Sequence, residues 1–235
     1  MKSFEKIKYK RLTILYFLFF IISSCKFNQS YFPHKEGKQI IYEVFFQDKE
    51  NKKSNFRQSF YFFPRMKNAI PVLKNDGELT FYVVQKNGIG KKSIDEFMST
   101  EVSGTESEKN VDLLIAFPIS MGTEWETNDK TTLQMKLGYD RIYNTNLPFK
   151  LTNKITEVNK TISIKGKKIK NCIKISSYGK TSYNPGPPLD NINIEVFSTS
   201  WFAKDYGLVK YKREEKSDSE TMGKIIYEKT MLISD

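Results

Sequence analysis

IIYEVFF, residues 40–46, sets Ile40, Tyr42, Val44 and Phe46 against Ile41, Glu43 and Phe45. A repeat of two in a segment rich in β-branched and aromatic residues marks an extended strand, whose side chains point alternately to opposite faces. Outward from it, Phe56, Phe60 and Phe62 alternate with Arg57, Ser59 and Tyr61. The same pattern recurs at 79–85, 111–117, 131–137, 149–158, 161–165, 168–178, 192–202, 208–214 and 224–233. Asn75-Asp76-Gly77, Asn87-Gly88 and Lys165-Gly166-Lys167 are short connections of the hairpin kind, so successive strands are expected to run antiparallel. The spacing predicts a mainly all-β single domain of about ten antiparallel strands, forming a curved sheet, half-barrel or sandwich after an N-terminal signal helix. Two stretches break the pattern. Residues 93–108 are polar and acidic and are read as a short helix or a loop. Residues 182–191 contain Asn184-Pro185-Gly186-Pro187-Pro188, too rich in proline for an interior strand.

The N-terminus has a different grammar. Lys2, Lys6, Lys8, Lys10 and Arg11 precede an apolar run over 12–22, interrupted only by Thr13. That is the length of a signal-peptide core; a spanning helix needs roughly 20 apolar residues. The run ends in Ile22-Ser23-Ser24-Cys25, which resembles the bacterial lipobox. The resemblance implies that signal peptidase II reads Ile22, Ser23 and Ser24, and that Cys25 receives covalent diacylglycerol and an acyl chain. A cleaved signal with an incidental cysteine and an uncleaved anchor are the alternatives. The expected division is a lipoprotein signal peptide over 1–24, a lipidated cysteine and spacer over 25–37, and a β-rich periplasm-facing domain over 38–235. Lys26 follows the cysteine where lipoproteins retained at an inner membrane resemble Cys-Asp, so the outer membrane is the expected destination in a host with two membranes.

Removing residues 1–24 lowers the formal charge from +11 to +7, leaving 33 basic against 26 acidic side chains. Those lysines are spread along alternating segments, which suits solvated strand faces. With Cys25 lipidated, Cys172 has no intramolecular partner, and stability must come from packing. Cys172 lies in an alternating segment and is read as a small buried hydrophobe.

The catalytic inventory is thin. The one histidine, His34, falls in the spacer, which removes the imidazole that Ser-His or Cys-His chemistry needs. Zinc and copper sites draw on several His or Cys ligands, so neither a metal nor another cofactor is expected. Glu43, Glu157 and Glu195 are the carboxylates that distant strands could bring together for acid–base hydrolysis, although each sits on the polar side of its strand. Gly88-Ile89-Gly90-Lys91-Lys92 lacks the spacing of a phosphate loop and reads as a hairpin end. The basic run 165–170 reads as a hairpin tip whose lysines guard an edge, and nucleic acid is not an expected partner.

Aromatic residues are the positive signal. Phe56, Phe60, Tyr61, Phe62 and Phe63 put rings on both faces of one strand, and Trp201 adjoins Phe202. Such strands are covered on both sides, either by core or by an apolar ligand inside a curved sheet. Phe60, Phe62, Trp201 and Phe202 are therefore the candidate core or ligand-site residues.

Three segments together resemble bacterial envelope lipoproteins of the DUF3108 or TapB-like kind: Tyr31 to Tyr42, Gly166 to Ile175, and Trp201 to Lys210 in the sequence WFAKDYGLVK. His34, Ile40 and Asp205-Tyr206 depart from the group's usual residues. The resemblance implies a curved antiparallel sheet and brings no catalytic residue. The expected function is a non-enzymatic, membrane-anchored binding or assembly module of the cell envelope, partnered by the membrane through its lipid and by envelope proteins or lipid. The alternatives are a carrier of lipid or another hydrophobic ligand, similar to the LolA/LolB half-barrel, and a carboxylate-based envelope hydrolase.

Overall fold

The computed structural model of the protein describes residues 31–32, 37–103, 111–137, 141–186 and 191–232. Cys25, with Ile22, Ser23 and Ser24, and His34 lie outside the described residues. Among those described, the alternating segments form strands β1 (Gln39–Gln47), β2 (Lys53–Phe62), β3 (Ala69–Lys74), β4 (Leu79–Gln85), β5 (Gly88–Ser93), β6 (Asp112–Ala116) and β7 (Glu124–Lys130). They continue as β8 (Gln134–Leu137), β9 (Arg141–Asn144), β10 (Pro148–Ile164), β11 (Lys167–Tyr183), β12 (Ile192–Ala203), β13 (Gly207–Ser217) and β14 (Lys224–Leu232). One helix, α1 (Ile94–Ser103), follows β5. No helix among the described residues is long and apolar enough to cross a membrane.

Twelve strands make one antiparallel sheet in the order β6-β5-β4-β3-β2-β1-β14-β13-β12-β11-β10-β7, nearly closed as a barrel. The meander runs round the wall, and β1 pairs with β14, joining Tyr42 to Met231 and Phe46 to Tyr227. The two edges of the sheet, β6 and β7, are held by side chains: Trp125 Nε1 donates to the Leu113 carbonyl at 2.9 Å, and the Asn128 backbone N–H donates to Asp112 Oδ1 at 3.0 Å. The β8–β9 hairpin stands apart as a two-stranded sheet.

The expected all-β single domain is what forms, with more strands than the periodicity marks. Residues 149–158 and 161–164 belong to one strand, β10, whose register against β11 slips between Ile155 and Ile162, and Lys165 falls in the turn that follows. β3 was hidden by Pro71, β7 by its polar sequence EWETNDK, and β5 by two glycines. The glycine at 88 is a requirement of β5: a Cβ there would lie 2.3 Å from the Ile115 carbonyl oxygen of β6. The acidic stretch does begin a helix. Ser93 and Glu96 form a capping box, the Ser93 N–H donating to Glu96 Oε2 at 2.7 Å and the Glu96 N–H to Ser93 Oγ at 3.3 Å. Phe97 of α1 then stacks on Phe81 at 4.1 Å, burying the outer face of β3 and β4.

Two apolar clusters close the ends of the barrel. Tyr31, Phe32, Ile40, Phe62, Ile89, Ile115, Ile173 and Phe202 belong to the first, the floor, which also takes in Cys172. Tyr31 and Phe32 come from the stretch read as spacer. The second cluster packs Leu133 and Met135 on Leu151, Ile194, Val196 and Met222, so the β7–β9 connection caps β10 to β14 at the far end. Between β12 and β13 the chain reverses through Asp205 and Gly207, with φ of 66° and 79°. Gly207→Val forces a β-branched residue into this left-handed region and should cost about 1–2 kcal/mol in urea unfolding.

Candidate functional site: the barrel cavity

β3 to β6 are short and pair only along the lower part of the wall: β2 meets β3 through Phe60, Tyr61 and Phe62 alone. The longer strands β10 to β14 carry on above them. The result is a cavity of about 980 Å³ between the two apolar clusters. Its lower wall is apolar, with Phe32, Ile40, Phe60, Phe62, Ile175 and Phe202. Above this lies a polar belt of Asn153, Ser177, Ser198, Ser200, Tyr211 and Arg213. The exposed rim is made by Glu78, Lys91, Ser93, Ile94 and Asp112 at the upper ends of the short strands.

Register explains the belt. Asn153 pairs with Ser177, Ser177 with Ser198, and Ser198 with Arg213, so one inward row crosses four strands. Ser177 Oγ donates to Asn153 Oδ1 at 2.7 Å, and the Asn153 amide donates onward to Thr127 Oγ1 at 3.0 Å. The row below joins Ser200 to Tyr211 and Tyr211 to Lys229.

Lys229 is the unusual member. It lines the cavity, and its Nζ stands 5.0 Å from the Phe60 ring centroid, 5.3 Å from Tyr42 and 5.7 Å from Tyr211. It makes no ion pair or hydrogen bond among the described residues, and the aromatic faces provide its stabilisation. Burial, helped by the positive charges of Lys74 and Lys91 and opposed by Glu78, lowers its pKa to about 8. Lys74 and Lys91 differ from it in being paired, both with Glu78 at the rim. Burial raises the phenols around it: Tyr82 and Tyr227 are pushed up to about 12, and Tyr42, which donates to the Leu208 carbonyl at 2.7 Å, higher still.

Arg213, at the upper end of the belt, is fully engaged. It bonds Asp129 Oδ2 at 2.5 Å, Glu215 Oε1 at 2.7 Å and the Lys130 carbonyl at 2.8 Å. Burial works against its charge, but Tyr211, Glu215 and Asp129 outweigh that and hold its pKa above the ordinary value. Glu215 is completely buried and also accepts from the Thr132 N–H, the Thr132 hydroxyl and the Leu133 N–H, at 2.8, 2.8 and 3.1 Å. This cluster ties the capping connection to the wall, leaving Lys229 as the cation in the cavity without an acid beside it among the described residues.

No family model matches the chain, and no curated protein matches it significantly, so the resemblance to the DUF3108/TapB-like group is not confirmed. Two solved structures are similar to it. One, from Bacteroides fragilis, is described as an exported protein with a YmcC-like fold, with TM-score 0.39; the other, from Parabacteroides distasonis, is described as a lipoprotein, with TM-score 0.41. Each is 12% identical, and each match covers 86% of this chain and 98% of the other.

Of the residues singled out in the sequence, Phe60, Phe62 and Phe202 meet on the cavity's apolar wall. Trp201 is not on that wall: successive strand residues face opposite sides, and its ring, half-buried against the first apolar cluster, lies under Lys174 Nζ at 5.3 Å. Tyr61 and Phe63 stay on the outer surface, edge to face at 5.0 Å. Glu43 pairs with Lys165, Glu157 with Lys174, and Glu195 accepts from the Tyr178 hydroxyl, each on its own strand. Among the described residues, no group of three or more His, Cys, Asp or Glu side chains could hold a metal ion. Burial raises the Cys172 thiol, so it is poor in reactive thiolate. The residues missed, Tyr211, Arg213, Glu215 and Lys229, share a sequence signal: polar side chains on the phase that Val209, Ile225 and Met231 mark as inward.

Proposed function

We propose that the protein is a lipid-anchored lipoprotein of the cell envelope whose barrel is a non-enzymatic binding module for a small amphiphile. The observation that carries the reading is the cavity of about 980 Å³ with an apolar lower wall and a polar upper belt. Ligand sites have this size and this lining, largely apolar with a few placed polar groups. The proposed anchor adds to it. Only five residues separate Cys25 from the buried Tyr31, a reach of at most roughly 20 Å, so acylation keeps the barrel close to the membrane. The outer membrane is the proposed site in a host with two membranes.

Two experiments test the two halves. Cys25→Ser should abolish incorporation of labelled palmitate and leave the unprocessed precursor; unchanged labelling sinks the anchor. For the cavity, native mass spectrometry of the full-length protein released from a non-ionic detergent should show one dodecanol bound. Ser200→Trp, placed in the middle of the cavity and confirmed as folded by circular dichroism, should remove it. Absence of the complex, or the same occupancy in the Trp variant, overturns the reading.

A further inference from the structure

Resting on that reading, we propose that the ligand is a single-chain amphiphile with an anionic head, which the Lys229 ammonium receives while the apolar chain lies along Phe60, Phe62, Ile40 and Phe202. The decisive observation is an asymmetry among the cations of the cavity. Arg213 has Asp129 and Glu215 as partners, and Lys74 and Lys91 share Glu78. Lys229 has rings alone among the described residues.

The three rings around Lys229 leave its side toward the cavity for a counter-ion, and Glu78 on the rim already serves two lysines. A neutral ligand would leave the ammonium uncompensated, and a cationic one would add repulsion from Lys229, Lys74 and Lys91 together. An anion supplies the missing charge. It also finds donors nearby: Ser198 and Ser200 line the same cavity, and neither makes a side-chain hydrogen bond among the described residues. Below them the wall is aromatic and aliphatic, so the head and the chain have separate places. Lys229 is lowered to about 8 by burial, and an anion at the ammonium would reverse part of that cost.

The test is competition on the full-length protein by native mass spectrometry, with dodecanoate and dodecanol at equal concentration near neutral pH. A charge-assisted hydrogen bond predicts about tenfold or greater preference for dodecanoate. Lys229→Met should bring the two within about twofold while dodecanol binding persists, and Lys229→Arg should keep the preference. Dodecyltrimethylammonium should compete with neither. If dodecanol binds and dodecanoate shows no advantage, or the advantage survives Lys229→Met, the anionic head is wrong and the cavity reading stands. If neither binds, both fail.

Discussion

Glu215→Ala is expected to lower the unfolding free energy by about 3–5 kcal/mol, the cost of breaking a buried ionic network by removing one partner. Glu215 is completely buried and accepts from Arg213 Nε, the Thr132 N–H and hydroxyl, and the Leu133 N–H. Truncation leaves two backbone donors without their acceptor and takes one of two carboxylates from Arg213, in a place where water cannot readily replace them. The damage should be local before it is global. Thr131 to Leu133 lead into β8, so amide exchange should accelerate over 131–135 and spare the β10–β11 pair around Ile173. Urea denaturation gives the total, and hydrogen exchange its location. A loss under about 1 kcal/mol, with unchanged exchange at Leu133, would mean that the capping connection is held by its apolar contacts.

Lys229→Met should act in the other direction, raising stability near neutral pH by up to about 3 kcal/mol, since each tenfold loss of proton affinity on burial corresponds to about 1.4 kcal/mol. Lys229 titrates at about 8 in the folded barrel, against 10.5 for an ordinary lysine. A depressed lysine pKa means that folding disfavours the charged form. Below pH 8 both folded and unfolded chains carry the proton, and the penalty is fully present. Between 8 and 10.5 the unfolded chain holds more protons than the folded one, so stability rises with pH; above 10.5 the penalty has gone. The advantage of Met over Lys should therefore be largest near pH 7 and shrink as pH climbs past 8. Thermal unfolding of both proteins at pH 7 and pH 9.5 measures it. A variant less stable than the parent at pH 7 would show that the cation–π contacts with Phe60, Tyr42 and Tyr211 outweigh the burial. A residue that weakens its own fold while facing a cavity is the stability cost expected at a binding site.

Much of the architecture was written in the chain. Alternation in IIYEVFF and in INIEVFSTSWFA assigned strands and, within them, faces, because a two-residue repeat is a local property of extended backbone. Asn87-Gly88 and Lys165-Gly166 placed reversals for the same local reason. Phe60, Phe62 and Phe202 were singled out as rings needing an apolar surrounding, and they have one. Trp201 was grouped with Phe202 as a candidate, yet strict alternation already set the two on opposite faces.

What no local pattern could decide was closure. Pairing of β1 with β14 joins residues almost the whole domain apart, and the Trp125 and Asn128 bonds across the β6–β7 edges depend on that ring being complete. The sequence placed Lys229 in a strand and Tyr42 and Phe60 in others, but only the assembled wall turns those three inward at one height. Whether inward residues fill a core or leave a cavity depends on how far apart opposite walls stand. That distance comes from the number of strands and from the shortness of β3 to β6, and neither is a property of any one segment.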